Sequence, residues 1–289
     1  MRRALALSFL FFMCLAFQPA SSEDKVSVHL GLLGAGEQVF AYEISVLKLA
    51  LAHSGRQTEL VITPLTMPQE RAFLELESGR ARFNLFFSGF SEEREARFRQ
   101  IDIPLSRGLL GHRIFITTDR FSDDLATIKD LDAFKRFAVV GSGNGWPDTR
   151  IFEAAGFTVQ RSRYENLWRM LAKERINTFN RGIHEAYVEI DIRKPEHSNL
   201  VVDQHLMVRY RFDYLFYVRK DNEDLARLLE TGLKRAYETG AFMENFMSHP
   251  MIRTVIDQAN PKDRLTFDID NPLMTERQRA IPDQYWHKF

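Results

Sequence analysis

Cysteine is all but missing: Cys14 is the only one, and it lies inside the N-terminal apolar stretch from Ala4 to Phe17. That stretch follows Arg2-Arg3, is broken by Gln18-Pro19 and ends in the small residues Ala20-Ser21-Ser22. This is the three-part layout of a secretory signal, cleaved near Ser22. The run is shorter than the about 20 apolar residues that span a bilayer, and no other stretch approaches that length. Cys14 follows Met13 instead of a small residue, so a lipoprotein leader does not fit. The mature chain therefore carries no cysteine, which excludes disulfides, thiolate catalysis and thiolate metal sites. It is expected to be exported and soluble, in the periplasm where the cell has one.

Net charge is missing too. Lys plus Arg and Asp plus Glu stand at 39 each, and the leader takes Arg2 and Arg3 with it, leaving 37 basic residues against 39 acidic. Such a balance gives no electrostatic footprint for nucleic acid. Internal repeats, heptad arrays and low-complexity linkers are absent as well. The mature length exceeds the about 100–200 residues usual for one domain, so one large or two medium domains are expected.

Catalytic signatures are sparse. His29, His53, His112, His184, His197, His205, His249 and His287 are scattered, with no HExxH spacing. No GxSxG occurs. Glu37, Glu92, Glu95 and His184 are the residues worth weighing as general acid or base, but no acid–base pair stands out. Neither a metal nor a cofactor is expected.

What is present is an alternation of strands and amphipathic helices. Val26 to Leu32 alternates apolar with polar or small residues, as a strand does. The turn Gly34-Ala-Gly36 leads to a helix with Phe40, Ile44, Leu47 and Leu51 on one face, closed at Gly55. A short strand over Glu59 to Thr63 precedes a helix that opens around Pro68 and ends at Gly79. Strands follow over Arg82 to Phe87, Gly111 to Thr117 and Arg136 to Val140. Late in the chain a strand over Tyr214 to Val218 leads into a long helix bearing Leu225, Leu228, Leu229, Leu233 and Ala236. The segment from Asn271 reads as an irregular tail anchored by its aromatics. This rhythm argues for parallel sheets with helices on both faces.

In open α/β sheets, ligands sit beyond the carboxyl ends of strands. Three places there draw attention. Gly141-Ser-Gly-Asn-Gly145 follows a strand and precedes Trp146-Pro147, where a helix should begin. Backbone N–H groups and the positive helix end make it either an anion site or simply a tight turn; it is neither a Walker loop nor a dinucleotide fingerprint. Ser91-Glu-Glu-Arg94 follows the strand ending at Phe87 and Gly89, and Arg94 has the planar fork that pairs with a carboxylate. The bland reading of that charge run is a solvated helix face. Arg181-Gly182 closes another short strand and faces the same cleft if the doubly wound reading holds. Phe86, Phe87, Phe90, Trp146 and Phe179 cluster around these loops, either as core or as cleft wall.

The order of these features resembles the bacterial extracellular solute-binding proteins of family 3, the type II periplasmic binding proteins. The resemblance covers essentially the mature chain. It rests on Leu76-Glu-Ser-Gly79, Ser91-Glu-Glu-Arg94, Ile103-Pro104-Leu105, Asp130-Leu131, Phe137 to Ser142 and Val218-Arg-Lys-Asp-Asn222. Within that family, Arg94-Glu95, Gly108 to Arg113 and Gly143-Asn-Gly-Trp-Pro-Asp148 look like a less characterised branch of transporter substrate-binding domains. The resemblance implies two α/β lobes, each a mixed, mostly parallel sheet flanked by helices, joined by two crossover strands. Residues 23–108 with 212–289 would form the first lobe and residues 109–211 the second. It further implies solute capture without catalysis, closure by hinge motion, a membrane permease as partner and a monomer in solution. The same fold serving as a sensor module for a membrane partner is the first alternative, a cyclohexadienyl-dehydratase-like lyase the second. By match, Arg94 would clamp a ligand carboxylate, with Ser142 and Gly143 adding contacts. Glu37, Phe87, Gly89, Asn144, Trp146 and Arg181 complete the candidate site. The aspartate that holds a ligand ammonium in the amino-acid receptors is replaced by Asn180-Arg181-Gly182. That departure reads as a cleft tuned to an anionic or aromatic-bearing solute.

Overall fold

The computed structural model describes residues 25–34 and 36–289, so the leader read over residues 1–22 lies outside the described residues. Two sheets organise the chain. The first contains β1 (Val26–Leu33), β2 (Thr58–Leu65), β3 (Leu85–Gly89), β4 (Phe98–Ile101) and, much later, β11 (Tyr214–Arg219). Its order is β2-β1-β3-β11-β4. The second contains β5 (His112–Thr118), β6 (Val139–Gly143), β7 (Thr158–Ser162), β8 (Thr178–Gly182), β9 (Leu200–Val202), β10 (Leu206–Arg209) and β12 (Leu265–Asp268). Its order is β12-β10-β5-β8-β6-β7, with β9 pairing β5. Helices flank both sheets, which makes the two-lobed α/β architecture expected from the sequence.

Both sheets are mixed and mostly parallel in strand direction, with one strand in each running against the rest. β1 runs parallel to β2 and β3, while β11 runs antiparallel to β3 and β4. In the second sheet β6 runs parallel to β7 and β8, and β12 to β10, while β5 runs antiparallel to β8, β9 and β10. The antiparallel members, β5 and β11, are the strands that directly follow the β4–β5 and β10–β11 connections.

The interlobe connections also exceed two. β4 leads to β5, and β10 leads to β11, as anticipated. The chain then returns to the second sheet through β12, which pairs Leu265–Asp268 with Leu206–Arg209. Assigning all of 212–289 to the first lobe therefore fails for β12. The tail next recrosses: Thr275 donates to Glu95 (2.5 Å) and Arg277 pairs with Asp102 (2.7 Å) on the first lobe.

The first lobe is held by the helix Glu223–Glu238 packed on the helix Ala41–Ala52. The leucines read from the sequence, Leu225, Leu228, Leu229 and Leu233, are all buried there. Gly232 permits the close approach, because a Cβ at that position would run into the carbonyl of Ala50.

The crossover pair is tied together by one carboxylate. Asp213 accepts from the Ser106 backbone N–H (3.1 Å) and hydroxyl (2.8 Å), from the Gly108 N–H and from the Tyr214 N–H (2.6 Å). Burial raises its pKa to about 6, against the pull of those donors. Among the described residues, no helix is long and apolar enough to cross a membrane.

Candidate functional site

A cleft of about 760 Å³ opens between the lobes. The first lobe contributes the ends of β1 and β3, the segment Leu65 to Glu70, Phe40 and Tyr214; the second contributes Gly143, Asn144, Trp146, Arg163 to Asn166, Arg169 and Arg181. Both walls lie at strand ends and the helix starts beyond them, as the Ser/Gly turns and helix-opening signals anticipate. A separate concavity of about 510 Å³, on the first lobe beside Glu92, Arg99 and Lys220, lies away from these loops.

Phe87, Gly143, Asn144, Trp146 and Arg181, named from the sequence, line the cleft. Ser142 is fully buried beneath it, its hydroxyl accepting from Thr149 (2.8 Å). Gly89 lies against the Phe212 ring. Glu37 is exposed on the short helix Gly36–Val39 and is not part of the wall.

Arg94 behaves differently from a free clamp. Its helix, Glu92–Arg97, is capped by Ser91, whose hydroxyl accepts from the Arg94 N–H. The guanidinium is buried, stacks over Phe73 (4.7 Å) and donates to Ser88 (3.0 Å), the Gly89 carbonyl, Gln69 (2.6 Å) and, across the seam, the Gly145 carbonyl (3.1 Å). No carboxylate of the described residues pairs with it. Burial without a counter-ion lowers its pKa, although it stays charged at neutral pH.

Arg181 is the reverse case. It also lies on the wall, against Trp146 (5.0 Å) and Tyr164 (5.8 Å), but it is neutralised by Glu185 (3.0 Å) and Glu189. The apparent surplus of cation at Asn180-Arg181-Gly182 is therefore cancelled by glutamates one helical turn and more downstream. Burial pushes Glu185 up, but Arg181, His184 and Arg113 outweigh it and hold the carboxyl at about 2. Glu189 moves the other way, raised by burial that Arg181 only partly offsets.

Sequence reasoning missed this ionic layer. Arg113 on β5 pairs with Asp148 and donates to Tyr210 (3.0 Å). Tyr214 of the first lobe donates to Glu185 of the second (2.7 Å), and His184 meets Glu43 (3.0 Å) across the same seam. His184 and Glu185 come one residue after Arg181-Gly182, so their proximity to the cleft was the available signal. These polar bonds join the two lobes across the seam. Glu92 and Glu95, weighed as acids or bases, lie off the cleft wall, and no group of three or more His, Cys, Asp or Glu among the described residues is placed to hold a metal ion.

Comparison with known proteins gives the fold a class. No protein-family model matches the chain, and no curated protein matches it in sequence. Solved structures do. An ancestral arginine-binding protein bound to arginine superposes with a TM-score of 0.57 at 14% identity, covering 77% of this chain and 97% of its own. The amino-acid ABC transporter substrate-binding protein AbpA from Streptococcus pneumoniae, bound to L-arginine, gives 0.55 at 16% identity, with 81% and 97% covered. A histidine kinase sensor domain with similarity to periplasmic binding proteins gives 0.52 at 14% identity, with 78% and 96% covered. The chain thus has the type II periplasmic-binding-protein fold that its sequence resembles, and that fold is shared by transport receptors and a sensor.

Proposed function

We propose that this protein is an exported, periplasmic solute-binding protein that encloses a small anionic or amino-acid-like solute between its lobes. The closed complex would be recognised by a membrane permease of the ABC type. The observation that carries this reading is the cleft of about 760 Å³ whose walls come from both lobes, so that a solute inside touches both and favours closure. The amino-acid-binding proteins that share the fold support it. The candidate contacts are Phe87, Gly143, Asn144, Trp146 and Arg181. Arg94, Ser142 and Gly89 act behind them as supports.

Binding without chemistry fits the wall, where Glu70 is the one acid without an ion-pair partner among the described residues and no base stands opposed to it. The second reading, a sensor that passes closure to a membrane partner, is favoured by the histidine kinase sensor domain that shares the fold. Screening metabolites by thermal shift tests solute capture, since a ligand of the native state alone raises stability with its concentration. Absence of any stabilising solute, with no change in small-angle scattering on addition of the panel, rejects the proposal. A permease or a sensor kinase recovered by crosslinking to the closed form separates the two readings.

A further inference from the structure

We infer that the solute is an organic anion with an aromatic or extended apolar body, and that its acidic group docks on Arg163 and Arg169 instead of Arg94. The inference rests on the solute-binding reading and names the ligand class for that same cleft. Five charged side chains line the walls: Glu70, Arg163, Glu165, Arg169 and Arg181. Arg181 is taken by Glu185 and Glu189, and Glu165 by Arg193 (2.7 Å). Arg163 and Arg169 make no ion pair or side-chain hydrogen bond among the described residues, and both are exposed. Two unpaired cations therefore stand against one unpaired acid, Glu70, and the cleft has a net attraction for anions.

Spacing supports their joint action. Arg163 opens the helix Tyr164–Ala172, and Arg163, Asn166 and Arg169 recur every third residue, which brings them to one side of it. All three line the cleft. Guanidinium forks suit carboxylate, phosphate or sulfonate, and the positive end of the helix adds to the same sign. Arg94, by contrast, is off the wall and already donates to four acceptors. The rest of the cavity dictates the body: Leu33, Phe40, Leu65, Met67, Phe87 and Trp146 present mainly carbon. Its volume lies in the upper part of the about 300–1,000 Å³ range of pockets for drug-sized ligands, which suits an aromatic acid or an acidic peptide.

The test uses the full mature chain and a panel of matched compounds: phenylpyruvate, indole-3-acetate, an acidic aromatic dipeptide, the neutral amide of each, and free arginine. Thermal shift and calorimetry should find an acid that binds while its amide and arginine do not. The double variant Arg163→Gln/Arg169→Gln should weaken that acid by about tenfold to a hundredfold, and the double lysine variant should recover part of the loss. Neither arginine side chain bonds to the protein, so the unliganded melting temperature should not move. Equal binding of acid and amide, preference for arginine, or unchanged affinity of the glutamine variant would overturn the anion site while leaving solute capture standing. If no compound of any charge binds in this panel or the broader metabolite screen, both fall.

Discussion

His184 Nε2 and Glu43 Oε1 meet at 3.0 Å across the interlobe seam, and both side chains are buried. Burial pushes the imidazole pKa down, but the hydrogen bond and charge of Glu43 outweigh it and the net shift is upward. Glu185 and Asp213 face the same ring and favour its charge, while His249 opposes it. A raised folded pKa means stability that is fully present below the unfolded value near 6.5 and is lost as pH rises through the folded value. His112, His249 and His287, whose pKa burial lowers, still hold protons in the unfolded chain near pH 6.5 and so raise stability with pH there, equally in the native chain and in a His184 variant. Urea denaturation from pH 6.5 upward should show the stability advantage of the native chain over His184→Gln shrinking as pH rises. At pH 6 His184→Ala should cost about 3–5 kcal/mol, since it strands Glu43 as a buried charge. An advantage that stays constant across this window removes the pair from the seam's energetics.

Arg94 and the Gly145 carbonyl, 3.1 Å apart, form a second tie between the lobes. Because the same guanidinium also holds Ser88, Gly89 and Gln69, its removal is expected to act on folding before it acts on affinity. Arg94→Gln should lower the unfolding free energy by about 1–3 kcal/mol, the usual loss for charge-assisted hydrogen bonds left unmade. Denaturant titration without solute measures this directly. Unchanged stability, with solute affinity lost, would return Arg94 to the clamp role that the family resemblance implies.

Much of this architecture is legible along the chain, because local signals carry it. The helix Glu223–Glu238 buries the very leucines whose spacing announces it, and Gly79 ends its helix in the left-handed region as a C-cap should (φ 69°). Legibility fails where pairing is long-range or the pattern is flat. β7 is an edge strand whose residues are all partly or fully exposed, so no apolar alternation marks it. β12 sits far from its partner β10 in sequence, and its membership of the second sheet has no local cue. In the cleft, strand-end glycines and Trp146 are visible from the sequence, whereas counter-ions are not. His184 finds Glu43 across 141 residues, and Arg181 looks like a surplus cation until Glu189 is folded against it.

Gly232 offers a test of the helix pair that fixes the first lobe. A methyl group there would collide with the Ala50 carbonyl, which belongs to backbone and has little room to yield. Gly232→Ala should therefore destabilise by about 1–3 kcal/mol through overpacking, despite alanine being the better helix former by about 1 kcal/mol. Circular dichroism melts give the sign. A gain in stability would mean that the two helices separate at no cost.

The tail makes a claim about motion. Trp286 packs on Gly108, where a Cβ would lie 2.7 Å from the indole, and Arg211 stacks over the same ring at 4.3 Å. Arg107 donates to the Gln284 carbonyl (2.9 Å), and His287 donates its N–H to the Arg107 carbonyl (2.6 Å). Both crossovers, around Arg107 and Arg211, are thus fastened by the last residues of the chain. Hinge closure needs backbone rotation in such connecting segments, so the tail should restrain it. Trp286→Ala removes the packing and a cation–π contact worth about 0.5–2 kcal/mol. It should speed amide exchange in residues 106–111 and 210–214 while leaving the cores of β1 and β8 protected. It should also raise the rate of solute release by a few-fold, because opening no longer works against the tail. If exchange quickens across the whole molecule, Trp286 is simply part of the core; if the crossovers exchange at the native rate, they move without regard to the tail.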